Sequence, residues 1–211
     1  MMTDLLRLLA WLSPAFPTGG FAYSHGLEWA VECGDVHDGE TLRTWLEDVL
    51  RHGTGRNDAI LLRHAHRGGD VAMLNDLAAA SATSRERRGE TLDQGTAFAA
   101  AAAAWGVPVL PSSVAYPIAV GAIAAHHAID AEAIVAGYLQ AFAANLISAA
   151  VRLVPLGQSV GLAVLAALEP IILQVADATR AATTDDIGGC AFRSDIAAMR
   201  HETQHTRLFR T

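Results

Sequence analysis

Apolar residues in this chain recur at helical spacing and almost nowhere at strand spacing, which restricts it to helix-on-helix architectures. Thr41–His52 shows the pattern: Leu42, Trp45, Leu46, Val49 and Leu50 fall on one stripe. No run alternates apolar and polar residues, and no Asn-Gly or Asp-Gly hairpin joins such runs. Alanine, the best helix former, is abundant throughout. Glycines, prolines and capping residues divide the chain into helices over Asp4–Leu12, Ser24–Cys33, Thr41–His52, Asn57–Arg67, Asp70–Ala82 and Ser84–Trp105. Val114–Ala128, Ala131–Val154 and Ser159–Thr179 follow, with Pro170 expected to kink or divide the last of these. Gly53 and Gly55 are expected to separate the third helix from the fourth, and Ser194 to cap a final helix. With no repeat, linker or second core, the expectation for residues 1–211 is one all-α domain, a bundle of roughly nine or ten helices.

Composition narrows the chemistry. All 15 basic residues are arginine, so no P-loop lysine, Schiff-base lysine or lysine general base exists. A net charge of −7 argues against a polybasic surface for nucleic acid or membrane. Charged residues make up only 18% of the chain and apolar ones 52%, which implies a large buried fraction. Ala133–Val151 is uncharged and long enough to raise the question of a membrane span. It contains Gln140, Asn145 and Ser148 and is otherwise rich in alanine, so a central helix of a soluble bundle is the better reading. The apolar run at the N-terminus holds Asp4 and Arg7 and lacks a basic leader and cleavage site, so no secretory signal is read there. Cys33 and Cys190 are too few and too distant for a disulfide framework and are expected to be buried or half-buried thiols in a reducing cytosol.

One motif is formally complete. His201-Glu202-Thr203-Gln204-His205 matches HExxH, in which two histidines on one helical face grip zinc and the glutamate acts as base. A small zinc metallohydrolase is the alternative reading this motif supports. Against it, only six residues follow His205 to supply a third ligand, and no strand is available to bind substrate. The pairs His64/His66 and His126/His127 point to different helix faces, and no GxSxG or GxGxxG occurs. Arg85, Arg87 and Arg88 interleave with Glu86 and Glu90 and read as a solvated face, whereas Met73 and Trp45 read as core. Phe16, Phe21 and Tyr23 in a Gly/Pro loop, with Arg207-Leu208-Phe209-Arg210 in the tail, have the composition of interface anchors. Such a tail can remain disordered until bound.

Three segments resemble the family of urease accessory protein F, UreF. They are LLRLLAWLSPAFPTGGFAYSHGLEWAVECG (Leu5–Gly34), VRLVPLGQSVG (Val151–Gly161) and DDIGGCAFRSDIAAMRHETQHTRLFRT (Asp185–Thr211). The pairing of FPxGGFxYSxGLE with a terminal MRHETQxxRLF carries the resemblance. It implies a non-catalytic, cytoplasmic, all-α homodimer acting in urease maturation. Its partners would be urease accessory protein D/H, the nickel-carrying GTPase (protein G) and apo-urease, with nickel passing as cargo and no stably bound cofactor. The matched positions implied to shape the partner-facing surface are Phe16, Pro17, Gly19, Gly20, Phe21, Ser24, Gly26, Leu27 and Glu28 near the N-terminus. In the tail, over 200–211, they are Arg200, His201, Glu202, Arg207, Leu208 and Phe209. Pro155-Leu156-Gly157-Gln158 matches a turn with a structural role. His205 departs from the family, which commonly carries an aromatic residue there.

Overall fold

The computed structural model describes residues 2–211. The helices are α1 (Met2–Trp11), α2 (Leu27–Glu32), α3 (Gly39–His52), α4 (Thr54–His66), α5 (Val71–Ala80), α6 (Arg85–Ala102), α7 (Tyr116–His126), α8 (Ala131–Leu153), α9 (Gln158–Ala178) and α10 (Phe192–His201). Three 3-10 turns lie at Gly20–Ala22, Ala103–Trp105 and Thr184–Asp186, and the described residues contain no strand. The fold class is all-α, as the periodicity requires.

Helix starts follow side-chain chemistry. Asp38 and Thr41 form a reciprocal capping box on α3, and Asp70 accepts from the Ala72 and Met73 amides to open α5. Ser84 and Asp130 cap α6 and α8 in the same way. Three boundary expectations need correction. Gly53 alone separates α3 from α4, and Gly55 lies inside α4. Pro170 does not divide α9; it and Ala166, whose carbonyl its missing N–H would have bonded, are both exposed, so water can serve that carbonyl. Ser194 is not a cap: α10 begins after Ala191 with no side-chain cap, and Ser194 is buried within the helix.

The centre is α7, buried continuously from Pro117 to Ala124 and packed between α4 and α6. α8 packs on α4 and α9, α9 on α3, and α10 on α2. Small residues set these distances. A Cβ on Gly121 would lie 2.3 Å from the Leu62 carbonyl oxygen, and one on Gly95 would lie 2.1 Å from that of Val114. An aromatic cluster closes one end: Trp11 meets Phe98 and Trp105 edge-on, and Phe16 lies 5.3 Å from Phe98.

α8 and α9 are both long and apolar enough to cross a membrane by length and composition. Half of the apolar window of α8 is buried inside the bundle, but only a third of that of α9, whose outer face carries Leu162 and Leu173. Cys33 and Cys190 are exposed, not buried, and Met73 is half exposed on α5 rather than in the core. Trp45 is buried as its stripe requires.

The two glycines of α6 that differ most in surroundings provide a test. Gly95→Ala is expected to lower unfolding free energy by about 1–3 kcal/mol, because its methyl group would meet backbone on α7's approach. Gly89→Ala, with nothing within 4 Å, is expected to be neutral or to stabilise by about 1 kcal/mol. Urea denaturation monitored by circular dichroism measures both.

Candidate functional site

The N-terminal loop, α2, the start of α6, α10 and the tail come together on one side of the bundle. Gly26 makes this possible. It has a left-handed backbone (φ 78), and a Cβ there would lie 2.6 Å from the Ala198 nitrogen, so α10 crosses directly over it. His25, with φ 62, shares the left-handed turn and tucks its ring against Phe142.

A single carboxylate holds the tail. Glu28, buried on α2, accepts from the Leu208 amide at 2.7 Å and the Phe209 amide at 3.0 Å, and lies 3.2 Å from His201 Nε2. The other ring nitrogen of His201, Nδ1, lies 2.7 Å from Glu86, which also accepts from Arg207 at 2.7 Å. His201 is fully buried between these two carboxylates; a neutral ring has one N–H and could donate to only one of them. Beyond the clamp, the Arg210 amide donates to the Ala22 carbonyl, and the Ser24 amide and hydroxyl donate to the Thr211 carbonyl. Thr211 Oγ1 donates to Glu90 at 2.8 Å. Arg152 stacks over the Phe209 ring and donates to the Phe21 carbonyl, tying the loop and tail to α8.

This geometry reassigns the HExxH residues. α10 ends at His201, so His205 is not one helical turn above it but exposed on a separate bend. Glu202 accepts from the Arg85 and Glu86 amides and caps α6. No three His, Cys, Asp or Glu side chains among the described residues are disposed to hold a metal ion. The helical zinc grip that a metallohydrolase needs is therefore not formed by this motif.

The expected surface residues divide in two. Ser24, Gly26, Glu28, His201 and Phe209 are buried and hold the site together, and Leu27 is core. Phe16, Gly19, Gly20 and Glu202 are half-buried. Pro17, Phe21, Arg200, Arg207 and Leu208 face outward, with Phe21 71% and Leu208 75% exposed. Of the three loop aromatics, only Phe21 is exposed: Phe16 packs on Phe98, and Tyr23 is buried with its hydroxyl donating to Asp93. The tail lies docked on its own chain rather than free. Beside it, Phe192, Ile196 and Met199 form an exposed apolar stripe on α10, bordered by Arg193 and Arg200. A cleft of about 780 Å3 runs between the N-terminal loop and α6, with Phe21 and Arg210 on its walls and Ala97 and Ala100 among its lining.

The solvated-face reading of α6 holds for Arg85 and Arg88, which are exposed, but fails for Arg87 and Glu90, which are buried and ion-paired. Burial pushes Glu90 up, but Arg87 and His25 outweigh it and hold the carboxyl well below its ordinary range. Burial, helped by Arg87, lowers His25 to about 4. The signal was present in the sequence: Arg87, Glu90, Gln94, Phe98 and Ala102 form one helical stripe, and its apolar end marks the whole stripe as inward.

The family model described as UreF matches residues 36–169. Urease accessory protein UreF of Methylorubrum populi is 51% identical, with all of both chains covered. The chain belongs to the UreF family. Urease accessory protein UreF of Cereibacter sphaeroides is 54% identical over the full length of both chains. That of Mesorhizobium japonicum is 52% identical, covering 98% of this chain and 96% of its own. The matched 36–169 segment leaves out both the N-terminal loop and the tail, which the full-length UreF relatives include.

If Glu28 holds the tail, Glu28→Gln removes the charge that its donors share. The expected cost is about 1.5–3 kcal/mol of tail-docking free energy, the range for hydrogen bonds to charged groups. Hydrogen exchange at the Leu208 and Phe209 amides should accelerate by tenfold or more, while exchange in α7 changes little.

Proposed function

We propose that this UreF-family chain is a non-catalytic scaffold of urease maturation. In this reading it joins urease accessory protein D/H and the nickel-carrying GTPase (protein G) to apo-urease, so that GTP hydrolysis drives nickel insertion. Nickel is the cargo of that assembly, not a resident cofactor of this chain. The chain works as a homodimer in the cytoplasm, with no nucleic-acid or membrane partner and no substrate of its own.

The observation that carries the reading is the composite outer face. Phe21, Phe192, Ile196, Met199 and Leu208 are large apolar side chains left exposed over a rigidly tied base. Arg193 and Arg200 flank the α10 side chains and Arg207 precedes Leu208 in a chain of net charge −7, with Arg193 paired to Asp35 and Arg207 to Glu86. Apolar anchors beside arginines have the composition of a protein interface core. A partner that fits would present an apolar patch edged with carboxylates. The buried residues of the tail motif support the same reading, since they fix the anchors in place before any partner arrives.

The test is size-exclusion chromatography with light scattering of the chain mixed with its cognate accessory proteins. Phe21→Arg, Met199→Arg and Leu208→Arg alter exposed side chains and should leave helical content intact. Each is expected to weaken the complex by roughly tenfold or more, as truncation of an interface anchor does. Leu162→Arg on the outer face of α9 serves as the control. Undiminished association of all three variants would remove this face from the interface.

A further inference from the structure

The ring of His201 occupies a place that a neutral imidazole does not satisfy. It is fully buried, and α10, which carries it, packs on α2 and α6 with the tail folded alongside. The charged groups that face it are Glu28 from α2 and Glu86 from α6, with Arg207 of the tail paired to Glu86. Nδ1 lies 2.7 Å from Glu86 Oε2, and Nε2 lies 3.2 Å from Glu28 Oε2. Both are hydrogen-bond distances, and each needs a hydrogen between nitrogen and oxygen. A neutral ring and two carboxylates supply one hydrogen for these two contacts, which leaves a nitrogen lone pair set against a carboxylate. Both carboxylates are favoured as anions by other donors: Glu28 by the Leu208 and Phe209 amides, Glu86 by Arg207. The missing hydrogen therefore belongs on the ring. The charge inventory agrees. Two carboxylates and one guanidinium leave a net negative charge around the ring, and an imidazolium cancels it. Further along α6, Arg87 and Glu90 neutralise one another.

We propose that docking of the tail takes up a proton from solvent, held on His201 as an imidazolium that bridges Glu28 and Glu86. With the tail docked, no water stands between the buried ring and its carboxylates, so both contacts depend on ring hydrogens. When the tail lifts away, Glu28 loses its two amide donors and opens to water. Water then serves an unprotonated ring nitrogen and the facing carboxylate alike, and the second ring hydrogen is no longer required. The docked state thus binds more protons than the released one. Docking is favoured at low pH and weakens as pH rises. Arg207 and Leu208 face outward from the docked tail, so their presentation carries the same dependence. The coupling is a property of the isolated chain, whatever docks on its outer face.

Nitrogen NMR of the full chain carrying isotope-labelled histidine tests it, together with hydrogen exchange of the Leu208 and Phe209 amides from pH 5 to pH 9. The His201 ring should show a hydrogen on both nitrogens while the tail is docked. Amide protection, corrected for the ordinary base catalysis of exchange, should fall with rising pH by up to about tenfold per unit, the limit for one proton. The amides of α7 should keep their protection over the same range. In Glu28→Gln the side-chain amide can itself donate to Nε2, so a neutral ring suffices. Tail protection in that variant should be lower than in wild type but independent of pH. A single neutral tautomer in the docked chain, wild-type protection independent of pH, or a wild-type slope retained in Glu28→Gln would overturn the proposal. If Glu28→Gln does not fold, the wild-type ring spectrum and exchange profile decide alone.

Discussion

One buried carboxylate, that of Glu28, sets the arrangement on which the candidate site depends. Its two oxygens receive two tail amides and face the buried imidazole of His201. Left without these donors, the carboxylate would be a desolvated charge; left without the carboxylate, the amides and the ring would be orphaned. The costs are mutual, so α2, α10 and the tail are fixed as one unit. Glu86 extends that unit to α6 by taking the far nitrogen of the same ring and Arg207.

The clamp works only because backbone can come close. Gly26 lets α10 cross α2 almost in contact, which places His201 between the two glutamates. The same economy of side chains governs the core, where Gly95 and Gly121 admit α7 against α6 and α4. Close packing also explains why two charged residues of α6, Arg87 and Glu90, are buried. A helix pressed on both sides has little solvated face, and Arg87 and Glu90 answer that by pairing with each other.

Most helices were legible from period and caps alone, because Asp38, Asp70, Ser84 and Asp130 do locally what their chemistry favours. The failures have a common cause: they concern residues whose state depends on a partner distant in sequence. His201 and Glu202 formally make a zinc motif, but Glu28 and Glu86 claim the histidine and the start of α6 claims the glutamate. Tyr23 has the composition of a surface anchor, yet its hydroxyl finds Asp93, 70 positions away. Ser194 has the character of a cap but is buried in the first turn of α10.

In the proposed scaffold reading, this division of labour separates the residues offered to a partner from those that hold them in place. The matched motif residues that are buried serve as the frame, and Phe21, Arg200, Arg207 and Leu208 are what the frame presents. That account stands on the coupling between Glu28 and His201, which a double-mutant cycle measures directly. Unfolding free energies of wild type, Glu28→Gln, His201→Gln and the double variant give the interaction energy. The account predicts a coupling of about 1–3 kcal/mol, as expected for contacting members of one buried network. Additive effects of the two substitutions would contradict it, because the carboxylate and the ring would then act independently and the tail would be held by something else.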